Sequence, residues 1–320
     1  MHKLLLLLLI LTNLVFAKDY ITPPSIGLRT EVSYVSQMTL NSIKHIEADK
    51  WHLSFSLISN IHNESAQEVT ILVSRKLAQS LELKVDYVVA YLTHYKTKIM
   101  GQKKYLPNTN GAVLMETYGA NPAIFRFNKK LVSQLQTYPK HAKANPQKFI
   151  DTIINGMFEK DPKIQEFFVR ELLNWIDLHQ HLSKEHYVRL LKIYNSNTAT
   201  DDTIAAFLGS SNSFQRSVGV KSLKNKAINI LNNFPLDLNP FNNQPSMIYN
   251  ALLFIETNEL GNWELYSRWM HCNIPSITEK AILNLKKIDA DKTNELIKTR
   301  LQDTLLKDTS RRVLKRFYVQ

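Results

Sequence analysis

Cysteine is almost missing from this chain: one residue in 320, Cys272. A disulfide framework needs at least a pair and a thiolate zinc centre needs more, so neither exists within the chain. Glycine (8) and proline (11) are also scarce, too few for an all-β chain with a tight turn at every corner. Beyond Phe16 there is no uninterrupted apolar run of the roughly eighteen residues that a membrane-spanning helix requires. G-x-S-x-G, the P-loop, G-x-G-x-x-G and H-E-x-x-H are all absent, so the familiar signatures of nucleophile elbows, nucleotide sites and zinc proteases are missing. The remaining composition is that of a folded protein. Hydrophobic residues make up 44% and aromatics 10%, against 21% charged, which is enough apolar surface for a sizeable core and excludes a disordered chain.

The first seventeen residues form a unit of their own. Lys3 supplies a positive start, Leu4 to Phe16 is apolar apart from Thr12 and Asn13, and Val15-Phe16-Ala17 suits a cleavage site. This is the pattern of a secretory signal peptide cleaved near Ala17, which places the mature protein in the periplasm or outside the cell. Export argues against nucleic acid as the partner. It leaves another protein or a peptide, or an anionic lipid or glycan.

Helical periodicity dominates the rest. Apolar residues recur at steps of two to four over 30–46 (Val32, Val35, Met38, Leu40, Ile43, Ile46), 66–83 and 86–99, so 18–95 reads as a mostly helical region. Residues 51–58 (Trp-His-Leu-Ser-Phe-Ser-Leu-Ile) alternate instead, and 47–62 stay open between strand and helix. Over 96–146 the character changes. Ten Lys or Arg and one acid, Glu116, lie between Lys96 and Lys148, a local +9 within a total of +12. Asn108-Thr109-Asn110-Gly111 and Gly119-Ala120-Asn121-Pro122 add turn chemistry, which predicts a basic insertion of loops or hairpins. From 147 to 320 helices return, over 162 onward, after a cap at Ser183, and over 201–208, 213–233, 246–258, 262–271, 275–288, 290–302 and 308–318.

Several of these helices open alike. Asp161-Pro162-Lys163-Ile164-Gln165-Glu166-Phe167-Phe168 resembles Asn273-Ile274-Pro275-Ser276-Ile277-Thr278-Glu279-Lys280, and Asn212-Ser213-Phe214-Gln215 and Asp308-Thr309-Ser310-Arg311 begin in the same way. Each has a polar cap, a polar first turn and then aliphatic residues about four apart. The pattern resembles the first helix of a HEAT-type repeat, although the spacings of 51, 61 and 35 residues (161 to 212 to 273 to 308) depart from that family's usual period of about 40–47. The resemblance implies a mainly α fold, an irregular α-solenoid of antiparallel helix pairs. It implies a binding scaffold and no activity or cofactor.

Four candidate sites stand out, each with a plain structural alternative. Lys103, Lys104, Tyr105, Arg126, Lys129 and Lys130 combine cations with aromatics, a mixture suited to anionic headgroups or glycans; the alternative is a solvated loop. Asp177, His179, His181 and His186 crowd one corner and could ligate a divalent metal, or simply be a polar corner between helices. Glu256 and Glu259 are spaced like paired hydrolytic carboxylates, or lie on a solvated helix face. Cys272 beside His271, and the stripe Trp263, Tyr266, Trp269 and Met270, read as core. The expected function is a non-enzymatic exported scaffold for a protein or peptide. The alternatives are an envelope protein gripping anionic lipid or glycan, and a helical hydrolase with or without a metal.

Overall fold

The computed structural model describes residues 22–29, 33–92, 113–114, 123–137, 140–240, 242–303, 306 and 308–318. The expected signal peptide lies outside the described residues, as do Lys103, Lys104 and Tyr105. The chain is mainly helical, with sixteen helices and a six-stranded antiparallel sheet among the described residues. It divides into two compact units, Met1–Gly156 with Arg170–Leu178, and Met157–Val169 with His179–Gln320.

The first unit corrects the expectation of a mostly helical 18–95. A short helix α1 (Pro24–Leu28) is followed by β1 (Ser33–Glu47), β2 (Lys50–His62), β3 (Glu68–Ser74), a single turn α2 (Arg75–Ala78) and β4 (Asp86–Leu92). Two features disguised these strands. In β1 the register slips at Val35/Ser36, Gln37/Met38 and Leu40/Ser42, so the buried Val35, Met38 and Leu40 are spaced three and two apart. A bulge adds a residue and breaks the period of two. In β4, Tyr87 to Leu92 are all buried, so inward and outward positions are equally apolar and no alternation remains. The open stretch 47–62 is largely β2, where Leu53 and Phe55 face the core and Ser54 and Ser56 do not.

The strand order is β3-β2-β1-β4-β5, with β5 (Val113–Leu114) and β6 (Ile124–Arg126) both paired to β4. The first four make a Greek key, in which the fourth strand returns beside the first. β5 also lies close to β3, so the two ends of the order approach each other. One face buries Met38, Leu40, Leu53, Phe55, Val69, Ile71, Val89, Tyr91 and Ile124 as a continuous core.

The basic segment is accordingly not a separate loop-rich insertion over its described part. β5 and β6 complete the sheet, and α3 (Lys129–Thr137), α4 (Lys140–Ala144) and α5 (Pro146–Gly156) follow. Asn128 caps α3, its Oδ1 accepting from the N–H groups of Lys130 (3.0 Å) and Leu131 (3.1 Å). It buries Gln134 and only two apolar residues, Leu131 and Leu135, four apart, a stripe too narrow to stand out among cations.

The remaining helices are α6 (Pro162–Asn174), α7 (Ile176–His179), α8 (Lys184–Asn195), α9 (Asp201–Leu208), α10 (Asn212–Val218), α11 (Val220–Asn233), α12 (Gln244–Thr257), α13 (Trp263–Trp269), α14 (Pro275–Ile288), α15 (Ala290–Leu301) and α16 (Asp308–Phe317). The single helix expected over 213–233 is two, because Gly219 adopts φ 100°, a conformation that side-chain-bearing residues rarely take. Within the second unit α9 packs on α12, α12 on α14 and α14 on α16, while α11, α13 and α15 each pack on the helix that follows.

One buried carboxylate ties the first unit together. Glu171, on the part of α6 that belongs to this unit, is fully buried. The Ser25 N–H donates to its Oε2 at 2.8 Å and the Ser25 hydroxyl to its Oε1, so the first turn of α1 is fastened across 146 residues of chain. Burial pushes the Glu171 carboxyl up to about 7, against the opposing pull of the Ser25 hydroxyl and N–H. A group whose folded pKa lies above its ordinary 4.5 stabilises fully below that value and loses its contribution as pH rises through the folded one. Stability should therefore fall by on the order of 3 kcal/mol between about pH 4.5 and pH 7. Glu171→Gln keeps a donor and an acceptor facing Ser25 and should flatten that fall in thermal melts. A variant with the same pH slope as the parent would disprove the assignment.

Candidate binding site

The structure disperses most of the residues that looked chemical in the sequence. Arg126 ends β6 opposite Tyr87, and its guanidinium reaches Glu82 at 3.3 and 3.4 Å. Both side chains are more than half exposed, so the pair is screened and contributes little. Lys129 and Lys130 occupy the first turn of α3 and are exposed, with Phe127 40% exposed just before them. Cations in a first turn oppose the helix dipole, so this placement is not one that helix stability selects.

The histidine corner holds no metal set. Among the described residues no group of three or more His, Cys, Asp or Glu is arranged to hold a metal ion. His186 is buried and committed to a capping box. The Ser183 N–H donates to His186 Nδ1 at 3.1 Å, and the His186 N–H donates to Ser183 Oγ at 3.3 Å. The His179 ring lies 4.9 Å from that of Phe214, within an aromatic cluster that also holds Tyr187 and Phe207. Asp177 is exposed on α7, in the first unit, while the three histidines belong to the second.

Glu256 is not half of a hydrolytic pair. It stands between Lys280, which it meets closely, and Lys287 at 2.6 Å, with its own side chain 20% exposed. Burial alone would raise its carboxyl, but the hydrogen bonds and charges of the two lysines outweigh this and hold it below its ordinary value. Glu259 sits in the left-handed region at φ 54°, where its N–H closes a turn onto the Glu256 carbonyl. Three of the four stripe residues are core: Trp269, Tyr266 and Met270 are buried, and Trp269 Nε1 donates to the Leu231 carbonyl at 2.9 Å, while Trp263 is half-buried with the Lys292 ammonium 4.2 Å from its ring. Cys272 is buried, and burial pushes its thiol up, away from the thiolate that reacts.

Sequence reasoning missed two places. The first is the Ser25–Glu171 pair, fully buried and therefore beyond the reach of any substrate. Its signal was available, because Glu171 lies four after Phe167 and three after Phe168, on the apolar face. The second is a cleft of about 420 Å³ in the second unit, where the α5–α6 connection meets the end of α8. Met157, Phe158, Pro162 and Ile193 give it apolar walls, Gln165, Ser196 and Thr198 are polar, and Glu159, Lys160 and Lys192 are its charges. No spacing in the sequence announces it, since its two walls come from separate segments.

No family model, curated protein or solved structure matches this chain.

The Ser183–His186 capping box and the Glu256 clamp both have measurable weight. Ser183→Ala should lower stability by about 1 kcal/mol in denaturant melts. Glu256→Ala should lower it by on the order of 2 kcal/mol, because Lys280, itself only 15% exposed, is left without its carboxylate. A metal role for the corner would instead show as a melting point that responds to chelator in the parent and not in His179→Ala/His181→Ala.

Proposed function

We propose that this is an exported, non-enzymatic scaffold whose helical unit binds a protein or peptide partner. The observation that carries the proposal is the packing order α9 on α12, α12 on α14 and α14 on α16, with α11, α13 and α15 set against that row. Helix pairs α8/α9, α11/α12, α13/α14 and α15/α16 then follow one another as repeats, and such stacks offer an extended surface for a partner. This order supports the HEAT-like, solenoid reading of the unit. The resembling openings at 275 and 308 belong to second helices in this scheme, because α14 packs on α13 and α16 on α15. Export rests on the apolar leader at 4–16 and the Ala17 cleavage pattern. Among the described residues no helix is long and apolar enough to cross a membrane.

One observation favours a second reading, in which the first unit grips an anionic lipid or glycan. Its strand order, with β5 beside β3 and α2 between β3 and β4, parallels that of five-stranded Greek-key barrels that bind oligonucleotides and oligosaccharides. That parallel is fold-level support only. The exposed Lys129 and Lys130, set against the helix dipole, and Lys103 and Lys104 in the segment between β4 and β5 would supply the charge, with Tyr105 as the aromatic beside them.

Affinity capture from an envelope extract separates the two. The scaffold reading expects a protein partner recovered equally by the parent and by Lys103→Gln/Lys104→Gln/Lys129→Gln/Lys130→Gln. It expects the partner to persist at about 0.5 M salt, where exposed charges are screened within a few ångströms. Recovery lost both in the variant and at high salt would sink it in favour of the anionic surface.

A further inference from the structure

We propose that α1 is a proton-gated latch: the helix stays docked on α3 and α6 while Glu171 keeps its proton, and it detaches as Glu171 ionises, ahead of any unfolding of the sheet. The latch is independent of whichever partner the protein takes. Ser25, Gly27 and Leu28 of α1 are buried, Ser25 and Leu28 fully. Yet no described element runs alongside α1 in the way that β2 and β4 run along β1. Polar ties hold it instead. On α6, Glu171 accepts from the Ser25 N–H at 2.8 Å and from the Ser25 hydroxyl. On α3, the Leu135 carbonyl accepts from Nη1 of Arg29, the residue that ends α1. The Ser33 hydroxyl donates to the Leu28 carbonyl at 2.8 Å and ties the helix to the start of β1. A single turn held in this way can open by itself, at a cost below that of unfolding the unit.

Two features make the tie to α6 conditional on a proton. The first is that no cation compensates Glu171. Burial acts most strongly on its carboxyl, followed by Ser25 and then the Gln134 side chain, with no charged group among these influences. The charges on the elements around it are engaged or turned away. Arg29 is on the Leu135 carbonyl, Lys129 and Lys130 are exposed on α3, Asp177 is exposed on α7, and Arg170 is half-buried beside Glu171 in α6. A carboxyl sealed from water without a cation favours its neutral form. The second feature is Gln134, fully buried on α3. It is near enough to influence that carboxyl, yet neither its Oε1 nor its Nε2 has a hydrogen-bond partner. Its Oε1 is an acceptor for the proton of a neutral Glu171, and an ionised Glu171 has no proton to give it. The docked state therefore suits the acid. The detached state, in which water reaches Glu171, suits the carboxylate. The sign follows from a folded value of about 7 against the ordinary 4.5. Docking has its full strength below the ordinary value and loses it as pH rises through the folded one.

Hydrogen exchange of the full mature chain between about pH 5 and pH 8 tests the latch, each protection factor being referred to the intrinsic rate at its own pH. The Ser25 and Gly27 amides should be protected at least about a hundredfold less than Val35 in β1, because α1 opens before the sheet. Their protection should fall by about tenfold per pH unit up to about pH 7 and level off above it. Glu171→Gln is neutral at every pH and should keep Ser25 protected with no such fall. Ser25→Ala, read at Gly27, removes the hydroxyl that holds the carboxyl down, so the fall should continue to a higher pH than in the parent. Ser25 and Gly27 amides as protected as Val35 would show that α1 leaves only with the whole unit, and would overturn the latch. So would protection that does not respond to pH, or the parent's fall retained in Glu171→Gln. Should that variant not fold, a fall in Ser25→Ala that ends at the same pH as in the parent would overturn it alone.

Discussion

The pairing of β1 on both of its edges organises the first unit. The strand hydrogen-bonds β2 along one side, from Val35 opposite His62 to Glu47 opposite Lys50. Along the other side it pairs with β4, from Ser33 opposite Leu92 to Thr39 opposite Asp86. A strand held twice cannot slip by one residue without turning its whole apolar set outward. Its bulges bend it while Met38 and Leu40 stay in the core. The Thr39 hydroxyl then donates to Asp86 Oδ1 at 2.7 Å, marking where β1 and β4 part. β5 and β6 in turn pair with β4. On this frame the buried Glu171 fastens α1 through Ser25, a polar contact whose desolvation cost two hydrogen bonds offset only in part.

The second unit is held by a different logic, apolar stripes pinned by a few polar anchors. The C-terminal carbonyls of α11, which have no partner within their own helix, are taken by α13. Arg268 donates to the carbonyls of Leu231 (3.1 Å) and Phe234 (2.6 Å), and Trp269 donates to Leu231 as well. Asn273 holds the long connection after α11 by donating to the Leu238 carbonyl and Asp237, both at 2.8 Å, and by accepting from the Leu238 N–H. Glu256 and its two lysines join α12 to α14. These anchors consume residues that might otherwise look catalytic.

Most helices from 162 onward were legible because they bury one side, and several carry their own side-chain cap. Ser183, Thr200, Ser211, Asn262 and Asp289 all accept first-turn N–H groups. The sheet was not legible, because bulges in β1 and two-sided burial in β4 removed the alternation that betrays a strand. The candidate residues fared by the same rule. The basic character of Lys129 and Lys130 and the cap at Ser183 could be read locally, whereas the commitment of Glu256 to two lysines and of Glu171 to Ser25 involves partners up to 146 residues away. The cleft around Gln165 belongs to the same class.

What the sequence determined by itself is whatever depends on neighbours within a turn or two. That covers the scarcity of cysteine, the leader pattern, the concentration of charge between 96 and 148, and the positions of the capped amphipathic helices. Only the tertiary structure decided the rest. It made strands of 33–47, 68–74 and 86–92, it paired the end of the basic segment into a sheet, and it chose which polar side chains are anchors. The physical reason is that strand pairing and the desolvation of polar groups are non-local. Their free energy is set by residues brought together from distant parts of the chain, and no window of sequence contains both partners.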